Sequence, residues 1–389
     1  MEKIKFSLDE YLRALEQLVN IDSGSKDVAG TTAVADYFAE KFQQIGWQVK
    51  YHRPDPAVGP CLQITNQATD RYDILLIGHM DTVFAHGTAA KRPFAIKDNR
   101  AYGPGVVDMK ASLLSVYYAV KHLHETGLPQ GASICIAFNS DEEISSIHSR
   151  SWLEQLAANS RYVLVLEPAR ADGSMVNTRR GVGRYTLEFH GVASHSGVAP
   201  EKGVSAINEL AHWVIALHNL TDHAQGTSLN VGVVQGGTTA NTVADYAMAQ
   251  MDVRMKEMSA VTRLQETLQY LLAHPQTPGI TVKVSGGITR PPMNPIPETL
   301  ELCKTVDAIA KRLGIAFQWI ATGGASDANL TAALGVPTID GLGPIGGLSH
   351  TVDEYLDIQS VEPRLLLLIE LLAEMAEKSA TRNSVKSEK

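Results

Sequence analysis

Ile74-Leu75-Leu76-Ile77-Gly78-His79-Met80-Asp81 decides how this chain is read. An unbroken apolar run closed by glycine has the character of a strand buried on both faces, as at the centre of a parallel sheet. It ends in an imidazole and a carboxylate. Four more ligand-type residues share that placement. Glu143 follows the alternating Ile134, Ile136 and Phe138, and Glu167 follows Tyr162-Val163-Leu164-Val165-Leu166. His350 lies in the loop after Val336-Pro337-Thr338-Ile339, and Asp108 ends the loop Gly103-Pro104-Gly105-Val106-Val107. As strands of one parallel sheet, these runs bring their carboxyl ends to the crevice where α/β folds bind ligands. Two imidazoles and three carboxylates there make a cation site, expected to hold two ions.

Working outward, strands and helices alternate. Ser7-Leu8-Asp9-Glu10 is a capping-box pattern opening a helix with Leu8, Leu12, Leu15 and Val19 on one face. A second helix is expected over Thr31–Ile45, then a strand at Ile74–Ile77, a helix over Ala111–Thr126, a strand over Ser133–Asn139 and a short helix from Trp152. The fold class is α/β, a parallel-rich mixed sheet flanked by helices. Near Arg179 the rhythm changes. Strand Val182–Gly191, helix Ser205–Leu220, strands Leu229–Gln235 and Ala247–Met255, helix Val261–Leu272 and strand Thr281–Ser285 give the split βαβ, ferredoxin-like α+β order. The expected division is a first catalytic part at 1–179, an inserted domain at 180–290 and a second catalytic part at 291–389. Pro291-Pro292-Met293-Asn294-Pro295 reads as the return linker. Helices over Glu298–Leu313 and Val361–Met375 follow, with a polar, frayed tail from Ser379 to Lys389.

At 389 residues, two domains are the natural expectation, and 44% hydrophobic with 20% charged residues is ordinary for a globular enzyme. A net charge of −8 argues against nucleic acid or an anionic membrane surface as partner. Cys61, Cys135 and Cys303 are odd in number and far apart, which reads as reduced thiols of a cytoplasmic protein. No signal peptide or membrane-length apolar span is visible.

Each motif has a plainer reading. His79-x-Asp81 alone is a turn stabilised by aspartate; functionally, the Asp81 carboxylate would hold the far nitrogen of a metal-bound imidazole. Asp108 is equally an N-cap for the following helix, although a cap does not need the surrounding glycines. Asp141-Glu142-Glu143 is usually a solvated turn; at the end of a strand, one acid is expected to bind metal and its neighbour to carry a proton. Ser194-His195-Ser196 with Asp327 has serine-hydrolase composition, but no G-x-S-x-G elbow accompanies it.

Taken in order, G-H-M-D-T-V (78–83), G-V-V-D-M-K (105–110), S-D-E-E (140–143), L-E-P (166–168) and L-S-H (348–350) resemble the dinuclear zinc exopeptidase and deacylase family, from the first helix to about Met375. That family includes glutamate carboxypeptidases, acetylornithine deacetylase, succinyl-diaminopimelate desuccinylase and aminoacylases. The resemblance implies that Asp108 bridges two zinc ions, with His79 and Glu167 on one and Glu143 and His350 on the other. It makes Glu142 the general base and Asp81 the orienter of His79. Three carboxylates and one hydroxide also balance two divalent cations. Zinc suits this ligand set, with cobalt or manganese as substitutes.

The resemblance further implies that the inserted domain is a lid and dimerisation domain of a homodimer. His195 would stabilise an oxyanion, and Asn241 and Arg254 would hold a substrate carboxylate. Arg290 and the loop Thr322-Gly323-Gly324-Ala325 look similar to the glutamate-carboxypeptidase branch, with Gly324 near the released amino acid; Pro168–Ser174 departs from it in lacking a lysine. The implied substrates are small peptides or N-acyl amino acids.

Overall fold

The computed structural model describes residues 6–127 and 132–387, with side chains as far as residue 381. The chain forms two compact units. One takes Met1–Thr178, Pro295–Ala321 and Ser326–Lys389; the other takes Arg179–Asn294 with Thr322–Ala325.

The first unit is built on six strands in the order Gln48–His52, Cys61–Thr65, Ile134–Asn139, Tyr72–His79, Ser160–Val165 and Thr338–Ile339. The first two pairings are antiparallel and the other three parallel, so the sheet is mixed and parallel-rich as expected. Tyr72–His79 is buried at seven of its eight positions, which is why its apolar run is continuous. The register sets His79 opposite Asn139 and Ile77 opposite Val165, so two strands end level and the third ends two residues short of them, just before Leu166 and Glu167. Ser7 caps the first helix, Leu8–Val19, by accepting from the Glu10 N–H. Phe38, Phe42 and Phe138 meet edge to face in the core between sheet and helices.

The end of this unit corrects one expectation. The last helix runs Val361–Ser387, twelve residues past the end expected at Met375 and through most of the tail expected to be frayed. Met375, Ala376 and Ser379 are all buried, so helical spacing keeps one face packed beyond the last large apolar residue. Residues 388–389 lie outside the described residues.

In the second unit, Ser228–Gly236, Tyr246–Met255, Gly181–His190 and Thr281–Arg290 lie in that order, all antiparallel. Together with the helices Ala206–His218 and Met258–Ala273, this is the ferredoxin-like topology. Tyr185, Leu187 and Phe189 alternate inward, and Phe189 meets Trp213 edge to face at 5.4 Å. The final strand continues five residues beyond Ser285, to Arg290. It does so through Gly286 at φ +94, where a Cβ would lie 2.2 Å from the Arg184 carbonyl oxygen. A glycine imposed by close backbone approach hid the alternation that would have revealed the rest of the strand. The proline-rich return is not slack either: Arg179 and Met293 exchange backbone hydrogen bonds of 2.9 and 3.0 Å, and Met293 is buried.

Candidate active site

All five expected ligands meet in the first unit. His79 Nε2 lies 3.1 Å from Asp108 Oδ1 and 3.7 Å from Glu167 Oε1. His350 Nε2 lies 3.2 Å from both Asp108 Oδ2 and Glu143 Oε2. Asp108 therefore turns one oxygen to each imidazole. Ligand atoms on a tetrahedral zinc, at ~2.0–2.1 Å from the metal, are about 3.3 Å apart, which is the spacing found here. Glu143 Oε1 is buried and has no hydrogen-bond partner among the described residues, an arrangement that costs free energy unless a cation meets it. The donors are all imidazole nitrogen or carboxylate oxygen, which suits zinc or a similar divalent ion. Without one, the Asp108 and Glu143 carboxylates push the His350 imidazole up to about 11. His350 is the most open ligand, 52% exposed, and adopts φ +67.

The acids at 141–143 take three separate places. Asp141 is fully buried and accepts from the His148 and Ser149 N–H groups and the Ser149 hydroxyl, tying the turn to the helix that follows. Glu142 and Glu143 sit in a single 3₁₀ turn, Glu142–Ile144. Their two N–H groups donate to the two oxygens of Asp81, each at 3.1 Å. Ser25 Oγ donates to the same carboxylate at 2.6 Å. This revises the expected contact of Asp81. His79 Nδ1 is 2.9 Å from the Asp81 backbone carbonyl but 3.5 Å from its carboxylate. The main chain of Asp81 thus holds the imidazole, while its side chain clamps the turn carrying Glu142 and Glu143. Glu142 offers an oxygen within 4.8 Å of ligand atoms of His79 and Glu167.

Asp108 is not the helix cap. The helix Ala111–Thr126 starts at Lys110 without a side-chain cap, and Asp108 lies in a non-helical turn before it, joined to Met109 by a cis peptide. Asp327 is bonded within the first unit. It accepts from Asn139 Nδ2 at 2.8 Å and Ser146 Oγ at 2.5 Å, a buried structural set.

The remaining expected residues lie in the second unit, in two groups. His195 and Asn241 are exposed and adjacent, with the Ser196 N–H donating to the Asn241 carbonyl at 3.0 Å. His195 Nδ1 accepts from the Gly197 N–H at 3.1 Å, which puts the proton of the neutral ring on Nε2. Arg254 is gripped by Asp252 through two bonds of 2.7 and 3.1 Å and reaches the Gly323 carbonyl at 3.4 Å. Arg179 Nη1 donates to the Gly324 carbonyl at 3.0 Å. Arg290 is buried at the end of its strand.

Residues 75–378 match the pattern of Peptidase family M20/M25/M40. The chain belongs to this family. Carboxypeptidase G2 of Pseudomonas sp. (strain RS-16) is 30% identical over 371 residues, covering 94% of this chain and 89% of the relative. An acetylornithine deacetylase of Proteus mirabilis (strain HI4320) is 24% identical, covering 95% and 97%. Among solved structures, aminopeptidase PepT of Bacillus cereus ATCC 10987 superposes with a TM-score of 0.76 at 24% identity, covering 95% of this chain and 99% of that one. A metallo-carboxypeptidase of Sulfolobus solfataricus gives 0.74 at 18% identity, with the same coverage. This M20/M25/M40 member is a hydrolase of the metallopeptidase and deacylase group. No helix among its described residues is long and apolar enough to cross a membrane.

Two residues of this hydrolase escaped the reading of the sequence. Glu354 is fully buried and accepts from the N–H groups of Gly105, Val107 and Asp108 at 3.2, 3.0 and 3.1 Å, gathering the Asp108 loop onto one carboxylate. Burial, then the nearby Asp108 charge, push its carboxyl up to about 7. Lys110 is also buried, donates to the Ile21 carbonyl at 2.7 Å, and is pushed down to about 7 by burial. Gly105 has a visible reason to be glycine: its φ is +72, and a Cβ would lie 2.5 Å from Thr82 Cγ2.

Proposed function

We propose that the chain is a two-zinc amidohydrolase of carboxypeptidase type, releasing a C-terminal amino acid from a small peptide or N-acyl amino acid. The observation that carries this reading is the single carboxylate of Asp108 set between His79 and His350, with the separate acid Glu142 beside them. In this reading His79 and Glu167 hold one ion, Glu143 and His350 the other, and Asp108 both. Bound there, the ions would polarise the amide carbonyl and make a nearby water more acidic.

Glu142 takes the proton from the attacking water and passes it to the leaving amine. Its reach to either depends on the turn that Asp81 clamps. The His195 Nε2–H donates a hydrogen bond to the carbonyl oxygen as that oxygen gains charge. Asn241, Arg254, Arg290 and the Gly324 loop receive the released carboxylate. The 30% identity to a carboxypeptidase favours cleavage on this side of the amide. An N-acyl-amino-acid deacylase is the second reading, favoured by acetylornithine deacetylases at 24–28% identity.

The homodimer belongs to the same proposal. Val233 and Val234 are exposed on the edge strand Ser228–Gly236, and Ile215 is exposed on a helix packed against it, the kind of apolar edge that proteins usually cover. A cytoplasmic location fits the three buried, unpaired cysteines.

The test separates base from ligand. Glu142→Ala is expected to keep its metal and lower kcat by roughly 10²–10⁴, whereas Glu143→Ala is expected to lose metal affinity. Elemental analysis beside kinetics on C-terminal and N-acyl amino-acid substrates decides it. The opposite pattern would reverse the assignment, and full activity in strong chelator would end the metal reading.

A further inference from the structure

The turn that carries Glu142 and Glu143 has a shape its sequence does not favour. Ser145 and Ser146, which close it, take φ +76 and +49, the left-handed region that a residue with a Cβ keeps only under constraint from its surroundings. Two backbone bonds fasten the turn internally. The Ser145 N–H donates to the Glu142 carbonyl at 2.7 Å and the Ser146 N–H to the Asp141 carbonyl at 2.8 Å. Asp81 takes the N–H groups of Glu142 and Glu143. These bonds hold the middle of the turn.

Its two flanks meet a carboxylate that lies 181 and 188 residues further along the chain. Asp327 Oδ2 accepts from Asn139 Nδ2 at 2.8 Å, at the end of the strand leading into the turn. Asp327 Oδ1 accepts from Ser146 Oγ at 2.5 Å, where the chain leaves it. Asn139 Nδ2 also donates to Ser146 Oγ at 3.2 Å, closing the three side chains into a ring. All three are buried, and hydrogen bonds to a charged acceptor are strong in such a setting.

Asp327 is anchored in turn. Its backbone carbonyl accepts from the Leu330 N–H at 3.0 Å. At its neighbour Ser326, the N–H donates to Asn329 Oδ1 at 2.9 Å and the hydroxyl to Asp340 Oδ2 at 2.6 Å. Asp340 directly follows Thr338–Ile339, the edge strand of the six-stranded sheet. Burying a carboxylate costs free energy that packing alone would not require. What this one holds is the turn.

We infer that Asp327 is a positioning residue for the proposed reaction: by bridging Asn139 and Ser146 it sets the turn 142–144 so that Glu142 reaches the attacking water. The role rests on the reading of Glu142 as the base.

Zinc-loaded enzyme, in excess zinc, is assayed on a panel of dipeptides and N-acyl amino acids. Kinetics are followed on the member cleaved fastest, well below the melting temperature of every variant. Asp327→Asn keeps the shape but turns an amide N–H₂ toward one of the two donors. Ser146→Ala removes one donor while keeping the Cβ at φ +49. Each is expected to lower kcat by about 10–100-fold, the scale of a misplaced catalytic group, with KM within about threefold of wild type. The Glu142→Ala background decides the cause. There, adding Asp327→Asn is expected to lower the residual kcat by less than about twofold, because the base it positions is already gone. Should Asp327→Asn not fold, Ser146→Ala in the same two backgrounds reads the same quantity. An equal loss in both backgrounds means a general loosening of the fold; it overturns the positioning role and leaves Glu142 as base. Unchanged kcat in both single variants also overturns it. Full activity in Glu142→Ala removes the base assignment and the positioning role together. Cleavage of no panel member overturns the hydrolase reading itself, and this role with it.

Discussion

His79 and Asp81, 2% and 0% exposed, are held in the first unit by partners that are themselves fixed: a backbone carbonyl, a buried serine and the N–H groups of a tight turn. In the second unit, His195 stands exposed on the two-residue strand Ser194–His195, paired with Thr242–Val243, and Asn241 stands exposed just before that partner, with the Gly197 N–H fastening the His195 ring. The difference follows from what each set is asked to do. Ligands for a small cation must keep their atoms within about 0.5 Å of a fixed arrangement, and only a surrounding shell of bonds does that. Groups that read a substrate must exchange water for ligand at each turnover, so a loose fastening suits them. Arg254 is intermediate, locked to Asp252 yet still within reach of the Gly323 carbonyl.

Asp108 gives the strongest way to break this contrast. Both oxygens face an imidazole, so Asp108→Ala is expected to lose both ions and essentially all activity. Elemental analysis finding one retained ion per chain would mean that the two halves of the cluster are independent, and the first unit less tightly integrated than argued. His195→Ala probes the other side. It is expected to keep full metal content while kcat falls by about 10²–10³, the usual cost of removing one oxyanion donor. A loss of less than about threefold would leave His195 as an ordinary surface residue. If the histidine acts across a dimer, mixing His195→Ala and Glu142→Ala subunits under exchange restores part of the activity, because one site then regains both groups.

The same contrast explains what could be read without coordinates. His79, Glu143 and Glu167 were legible because apolar runs announce strands, and strand ends converge in an α/β sheet. The ferredoxin-like order was legible from the change of period near Arg179. What stayed hidden depended on backbone atoms or distant partners. That the side chain of Asp81 serves two N–H groups and its carbonyl serves His79 is a matter of main-chain placement, to which composition is blind. The continuation of the strand from Ser285 to Arg290 was lost because a close approach at Gly286 had removed the side chain that would have marked it. The helix beyond Met375 was lost because its buried face is continued by alanine and serine. In Thr351-Val352-Asp353-Glu354 nothing distinguishes Glu354 from a solvated turn, and its partners lie 246 to 249 residues away.

Glu354 therefore sharpens the comparison through a residue that touches no expected ligand side chain. Glu354→Gln keeps the shape but turns an amide N–H₂ toward a loop of donors, so at least one of the Gly105, Val107 and Asp108 N–H groups loses its acceptor. A buried donor left unpaired costs about 1–3 kcal/mol, and loosening a ligand's support typically weakens metal affinity by about 10–100-fold. The expected outcome is a metal affinity reduced on that scale, read by competition with a chelator of known strength, with kcat recovering when metal is supplied in excess. Melting temperatures of metal-free wild type and variant separate the two possible origins. If the variant melts lower but binds metal as tightly as wild type, Glu354 only stabilises the fold. If metal affinity falls by more than the stability loss explains, this buried carboxylate holds Asp108 in place for both ions.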